Sequence, residues 1–134
     1  MAGNNIAGKW KLHHNEGFEE FLEEMGAPYL ARKAVGKSHP TQEIVINGDH
    51  VTIKFISMLM TREINFTIGQ EFETEWSGQK NKAMARWEDG KLVMTETGAR
   101  GKSTTSRYVD EDGMLQMVIT SPKGLVCKRV FKKK

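Results

Sequence analysis

The chain has 134 residues, 20 Lys plus Arg against 17 Asp plus Glu, a net charge of +3 and an apolar fraction of 38%. That length suits one domain over residues 1–134 with its own core, and the charge is too small to imply a nucleic-acid partner. The lone cysteine, Cys127, excludes an internal disulfide and a cysteine-rich metal site and suits a reducing compartment. Residues Met1 to Lys11 carry no apolar run, so no secretory signal is expected, and a cytoplasmic, monomeric protein is.

A first strand is expected from Gly8 to His14. Residues 15–37 then switch to helical spacing, with Phe18, Phe21, Leu22 and Met25 forming one apolar stripe. Asn15 suits the N-cap and Gly26 the stop, and Pro28 suits the first turn of a second short helix through Tyr29, Leu30, Ala34 and Val35. After His39 everything reads as strands. Asn47-Gly48 sits between the runs Ile44 to Ile46 and Val51 to Phe55, the strongest short-range hairpin signal. Further runs cover Ile64 to Ile68, Glu71 to Trp76, Lys82 to Trp87, Leu92 to Met94, Ser103 to Val109, Met114 to Thr120 and Leu125 to Phe131. Turn residues, among them Ser77-Gly78 and Asp89-Gly90, separate them.

Ten antiparallel strands in succession leave two edges unless the sheet closes. The expected fold is therefore all-β: a ten-stranded antiparallel up-and-down β-barrel with a helix-turn-helix lid over residues 15–37. A barrel of that size is wider than one whose side chains just fill it, so it encloses a cavity. A lidded cavity is a ligand site by default.

The last strand holds the most informative residue. Leu125, Cys127, Arg129 and Phe131 share one face, apolar apart from Arg129, so that face should point inward. A buried Arg cannot shed its charge and needs a partner. A ligand carboxylate is one, held bidentately; an internal Glu or water is the other. On the eighth strand Arg107 and Tyr108 are adjacent, and a one-residue change of register decides which faces the cavity. Pairing Leu115, Met117 and Ile119 inward favours Tyr108, whereas a hairpin one residue longer favours Arg107.

The chain resembles the intracellular lipid-binding proteins: the fatty-acid-binding proteins and the cellular retinol- and retinoic-acid-binding proteins. The resemblance rests on Gly8-Lys9-Trp10, Asn15 to Met25, Leu30 to Lys33, Asn47 to Asp49, Thr61 to Phe66, Gly69 to Phe72, Glu88 to Val93 and Val126 to Phe131, in family order along essentially the whole chain. It implies a two-helix lid, one buried lipid and no enzyme activity. It also implies an anion site at Arg129, with a second Arg on the eighth strand and an aromatic at position 131. That aromatic is usually Tyr in the fatty-acid binders. Here it is Phe131, as in the retinol binders, so one hydroxyl is missing. Leu59 falls at the family's portal, within the soft apolar run Met58-Leu59-Met60.

The expected ligand is a long-chain fatty acid or similar hydrophobic carboxylate; a retinoid is the alternative. Arg129, Phe131, Tyr108, Arg107 and Met117 would line its cavity. Phe18, Leu22, Met25, Leu30 and Ala34 would face it from the lid, with Leu59 at the mouth. The first helix is acidic and the second carries Arg32, Lys33 and Lys37, a candidate for transient contact with anionic membrane. Arg32-Lys33 match part of the nuclear-import patch of some family members, but Glu23 stands where its third member belongs. No cofactor is expected. His13 and His14, as adjacent strand residues, should face opposite ways and share no metal ion. Trp10, Trp76 and Trp87 are read as strand packing rather than base stacking, and no acid–base constellation stands out.

Overall fold

Alternation of apolar and polar residues, broken by short turns, folds almost the whole chain into antiparallel hairpins. The computed structural model describes residues 4–58, 60–76 and 79–134. A short 3-10 turn at Asn4–Ile6 precedes β1 (Gly8–Glu16), α1 (Phe18–Glu24) and α2 (Tyr29–Lys37). Nine more strands follow: β2 (Thr41–Asn47), β3 (His50–Ile56), β4 (Thr61–Thr67), β5 (Phe72–Trp76), β6 (Gln79–Glu88), β7 (Lys91–Gly98), β8 (Gly101–Val109), β9 (Leu115–Thr120) and β10 (Val126–Lys133).

All ten strands belong to one sheet, in the order β4-β3-β2-β1-β10-β9-β8-β7-β6-β5. The chain's two end strands pair with each other, which curls the sheet into a nearly closed barrel with the fold that the sequence predicts. The sheet's two edges, β4 and β5, meet through side chains. Phe66 and Phe72 stack with ring centroids 4.9 Å apart, and Arg62 Nη2 donates to the Glu75 carbonyl at 3.1 Å. Inward residues make the core, among them Trp10, Ile44, Ile53, Phe66, Leu92 and Phe131. The Trp10 indole donates to the Ile6 carbonyl at 2.8 Å, so its one polar atom is satisfied inside.

Three local expectations change. Strand β1 runs on to Glu16, so Asn15 is a strand residue, and Gly17, at φ 74, turns the chain into α1 instead. A bulge between Leu12 and His14 re-aims the strand and leaves both histidines exposed, their ring centroids 5.1 Å apart. The two rings therefore do not take opposite faces. Helix α1 ends as expected at Gly26: Ala27 N–H bonds the Leu22 carbonyl at 2.9 Å and Gly26 N–H the Glu23 carbonyl at 3.0 Å, a Schellman closure.

The lid's two helices differ in how they are held. Helix α1 buries Phe18 and Leu22, whereas α2 buries no side chain fully. Leu30 is 79% exposed and Ala34 is exposed too, so neither lines the underside of the lid as expected. Lys33 pairs with Glu19 at 2.9 Å and Arg32 with Glu23 at 3.4 Å, which explains the segregated charges as a seam between the helices. Leu59, the Ser77-Gly78 turn and the Trp76 side chain lie outside the described residues.

Candidate functional site

Two arginines lie inside the barrel, one on β8 and one on β10. On β10 Cys127, Arg129 and Phe131 are all buried as expected, and Val126, Lys128 and Lys132 are exposed; Val130, on the outer face, is buried as well. On β8 the buried residue is Arg107, not Tyr108. The cause is the turn. Gly113 adopts φ 78, Asp110 N–H bonds the Met114 carbonyl at 2.9 Å, and the hairpin gains the extra residue of a bulged three-residue loop. Asp110 Oδ1 fixes it by accepting the N–H groups of Asp112 and Met114, each at 2.9 Å. Val109 thereby pairs with Leu115 and Arg107 with Met117, which moves Tyr108 to the outer face. There the Lys91 ammonium sits 4.4 Å from the Tyr108 ring centroid.

One cross-strand row now reads Leu92, Arg107, Met117, Arg129, Asn15, from β7 to β1. Met117 separates the two guanidinium-bearing strands. Arg129 Nε donates to Asn15 Oδ1 at 2.9 Å, and its guanidinium lies 3.9 Å from the Phe18 ring centroid and 5.7 Å from that of Phe131. Such stacking holds a cation without neutralising it. Arg107 Nε donates to Gln42 Oε1 at 2.8 Å from across the interior, and Gln42 Nε2 points at Met117 Sδ, 4.0 Å away. Gln42 is fully buried and shares the inward face of β2 with Ile44, the one signal that marks it in the sequence. It and Asn15 are the polar residues that sequence reasoning missed.

Among the described residues, neither Arg107 nor Arg129 forms an ion pair, and Arg107 Nη1 is a buried side-chain atom with no hydrogen-bond partner. Burial pulls both guanidinium groups down to about 10; Glu96 opposes this at Arg107, and Arg129 and Arg62 add to it. Both stay charged at neutral pH. Burial also pushes the Cys127 thiol up to about 11, which makes it an inert packing residue beside the pair. Met25 belongs to a different place, a recess under the end of the lid.

A nearly closed ten-stranded barrel with a two-helix lid and two buried arginines inside has the architecture of a lipid-binding β-barrel protein. The family comparison agrees: residues 7–118 match the lipocalin / cytosolic fatty-acid binding protein family, and the chain belongs to it. It is 35% identical over 130 residues to the sodium/calcium exchanger regulatory protein 1 of Doryteuthis pealeii, covering 96% of each chain. It is also 35% identical over 134 residues to the cellular retinoic acid-binding protein 2 of Mus musculus, covering 95% of this chain and 96% of that one. Among solved structures, the REP1-NXSQ fatty acid transporter superposes with a TM-score of 0.91 at 33% identity, over 97% of this chain and 96% of that chain.

Proposed function

We propose that the protein is a non-enzymatic carrier that takes one long-chain fatty acid into the barrel, its carboxylate held between Arg107 and Arg129. The observation that carries this is the orphaned Nη1 of Arg107 beside a second buried cation, with no carboxylate paired to either among the described residues. An uncompensated buried charge is strongly destabilising. A ligand carboxylate supplies the missing acceptors and the missing charge together. Phe131 lacks a hydroxyl, so the arginines do this without a phenol. Asn15, Gln42 and the Phe18 ring orient the two forks.

A retinoid is the second reading, favoured by Phe131 and by the likeness to a retinoic acid-binding protein. The arginine pair then selects the acid over the alcohol, because a hydroxyl neutralises no charge. The deciding experiment is calorimetric titration of the delipidated protein with palmitate, retinoic acid and retinol. Tight one-to-one binding of an acid and at least ten-fold weaker binding of retinol is expected. Equal binding of retinol and retinoic acid would remove the role given to the arginines.

A further inference from the structure

Four residues along β7 from the arginine row, near enough for its charge to be felt at Arg107, the interior holds a second polar group that a plain hydrocarbon tail leaves unserved. Glu96 follows Leu92 and Met94 on the inward face of β7 and is half-buried. Its Oε2 accepts from Thr74 Oγ1 at 3.1 Å and from Asn81 Nδ2 at 3.4 Å. No described residue donates to its Oε1. Gly98, one inward step further, is what lets Asn81 lie there: a Cβ on Gly98 would run into Asn81 Oδ1. Asn81, Glu96, Gly98 and Ser103 line a recess beneath Met25, with a free volume of about 10 Å³. That is the size of one water or hydroxyl.

The β7–β8 register places Glu96 opposite Ser103 and Leu92 opposite Arg107. The two rows are four residues apart, about 13 Å along the strands before side chains reach toward each other. A chain anchored by its carboxylate at Arg107 and running toward the lid therefore passes the recess along its tail. A methylene tail there would strip water from Glu96 and offer no donor, which is costly. Gln79 and Arg100 line the recess too, but Arg100 Nη1 is spent on the Glu24 carbonyl at 3.3 Å, and a bulky group does not fit. A hydroxyl fits the volume and donates to Oε1.

We propose that this recess is a second polar subsite, which takes a hydroxyl borne on the tail of the bound acid, so that the protein prefers hydroxylated to plain fatty acids. The proposal rests on the carboxylate reading above. The test is calorimetric titration of the delipidated full chain with stearate and with a series of stearates hydroxylated at successive mid-chain carbons. Wild type, Glu96→Leu and the near-isosteric Glu96→Gln are compared, with circular dichroism to confirm folding.

At least one hydroxystearate is expected to bind wild type about 5- to 10-fold more tightly than stearate, the worth of one hydrogen bond. E96L should erase that preference by tightening stearate toward the hydroxystearate, because the cost of drying the carboxylate goes with it, and E96Q should keep part of the preference. If stearate binds wild type but no hydroxystearate exceeds it, only an ordered water occupies the recess and the subsite falls while the carrier reading stands. A preference that survives in E96L also overturns it. If neither acid binds wild type, the carrier reading fails and takes the subsite with it.

Discussion

Arg107 sets the energetic character of the interior. Its Nη1 has no hydrogen-bond partner among the described residues, and its Nε donates to the neutral Gln42. Replacing it with Gln keeps a donor for Gln42 and removes a buried charge that no described carboxylate pairs with directly and that Glu96 offsets only from a distance. Removing an uncompensated buried charge is often neutral or stabilising. Arg107→Gln should therefore leave the melting temperature of the ligand-free protein unchanged or raise it, while weakening palmitate about 10- to 100-fold, the worth of a charge-assisted pair. Calorimetric melting and titration of the same sample test this. A large fall in stability without ligand would show that Arg107 is a structural post rather than a ligand contact. The inward place of Arg129 was legible in the sequence because the residues two away on either side, Cys127 and Phe131, are apolar. That of Arg107 was not, because it depends on whether Gly113 adds a residue to a turn, and an error of one there reverses the face.

Elements differ in how firmly they are tied, and the lid shows it best. Glu24 anchors the end of α1: Oε1 accepts from Ser121 Oγ at 2.5 Å and Oε2 from Lys123 N–H at 3.1 Å, while Arg100 Nη1 donates to the Glu24 carbonyl at 3.3 Å. Helix α2 makes no such hydrogen bond to the barrel among the described residues. It is held by Val35, partly buried against the core, and by partly exposed ion pairs of Lys33 and Arg32 with α1, each pair worth about 1 kcal/mol or less. The opening of lowest cost therefore lifts α2 and leaves α1 in place. Lys33→Ala should speed ligand release by about two- to fivefold with little loss of stability. Glu24→Ala should cost about 1–2 kcal/mol of stability and change release far less. Stopped-flow dissociation beside a denaturant melt separates the two, and faster release from E24A than from K33A would place the moving joint at α1.

The same contrast explains what the sequence hid at this scale. The two helices were visible from the spacing of Phe18, Leu22 and Met25 and from the stop at Gly26. Their starting point was not. Asn15 has the chemistry of an N-cap, but the bulge at His13 carries β1 two residues further and turns the Asn15 amide toward Arg129. Long-range pairing with β10 outweighed a local capping preference. The exposure of Leu30 has the same kind of cause, since α2 rests on α1 rather than on the barrel.

At the scale of the whole molecule, barrel closure and ligand charge are one problem. Ten strands in an unbroken meander can seal everything but the β4–β5 edge, and sealing it removes water from Arg107 and Arg129. Both groups sit near 10 because burial disfavours their charged form, so folding without ligand carries that cost at every pH below about 9. An anionic ligand relieves it. At a free concentration a hundred times Kd, ligand adds about 2.7 kcal/mol, or roughly 8–12 °C in melting temperature for a chain of this size. The sign with pH follows. The arginines are fully charged below about pH 9, and a carboxylic acid is ionised above about pH 6, so the palmitate-induced shift should be flat between those limits. It should shrink only as the pH rises toward 10, when the folded guanidinium groups begin to lose their protons. Scanning calorimetry with and without palmitate from pH 6 to 9 is the measurement, with retinol as a neutral ligand. A palmitate shift that halves across this window would assign the headgroup to a group titrating near neutrality instead of to the arginine pair.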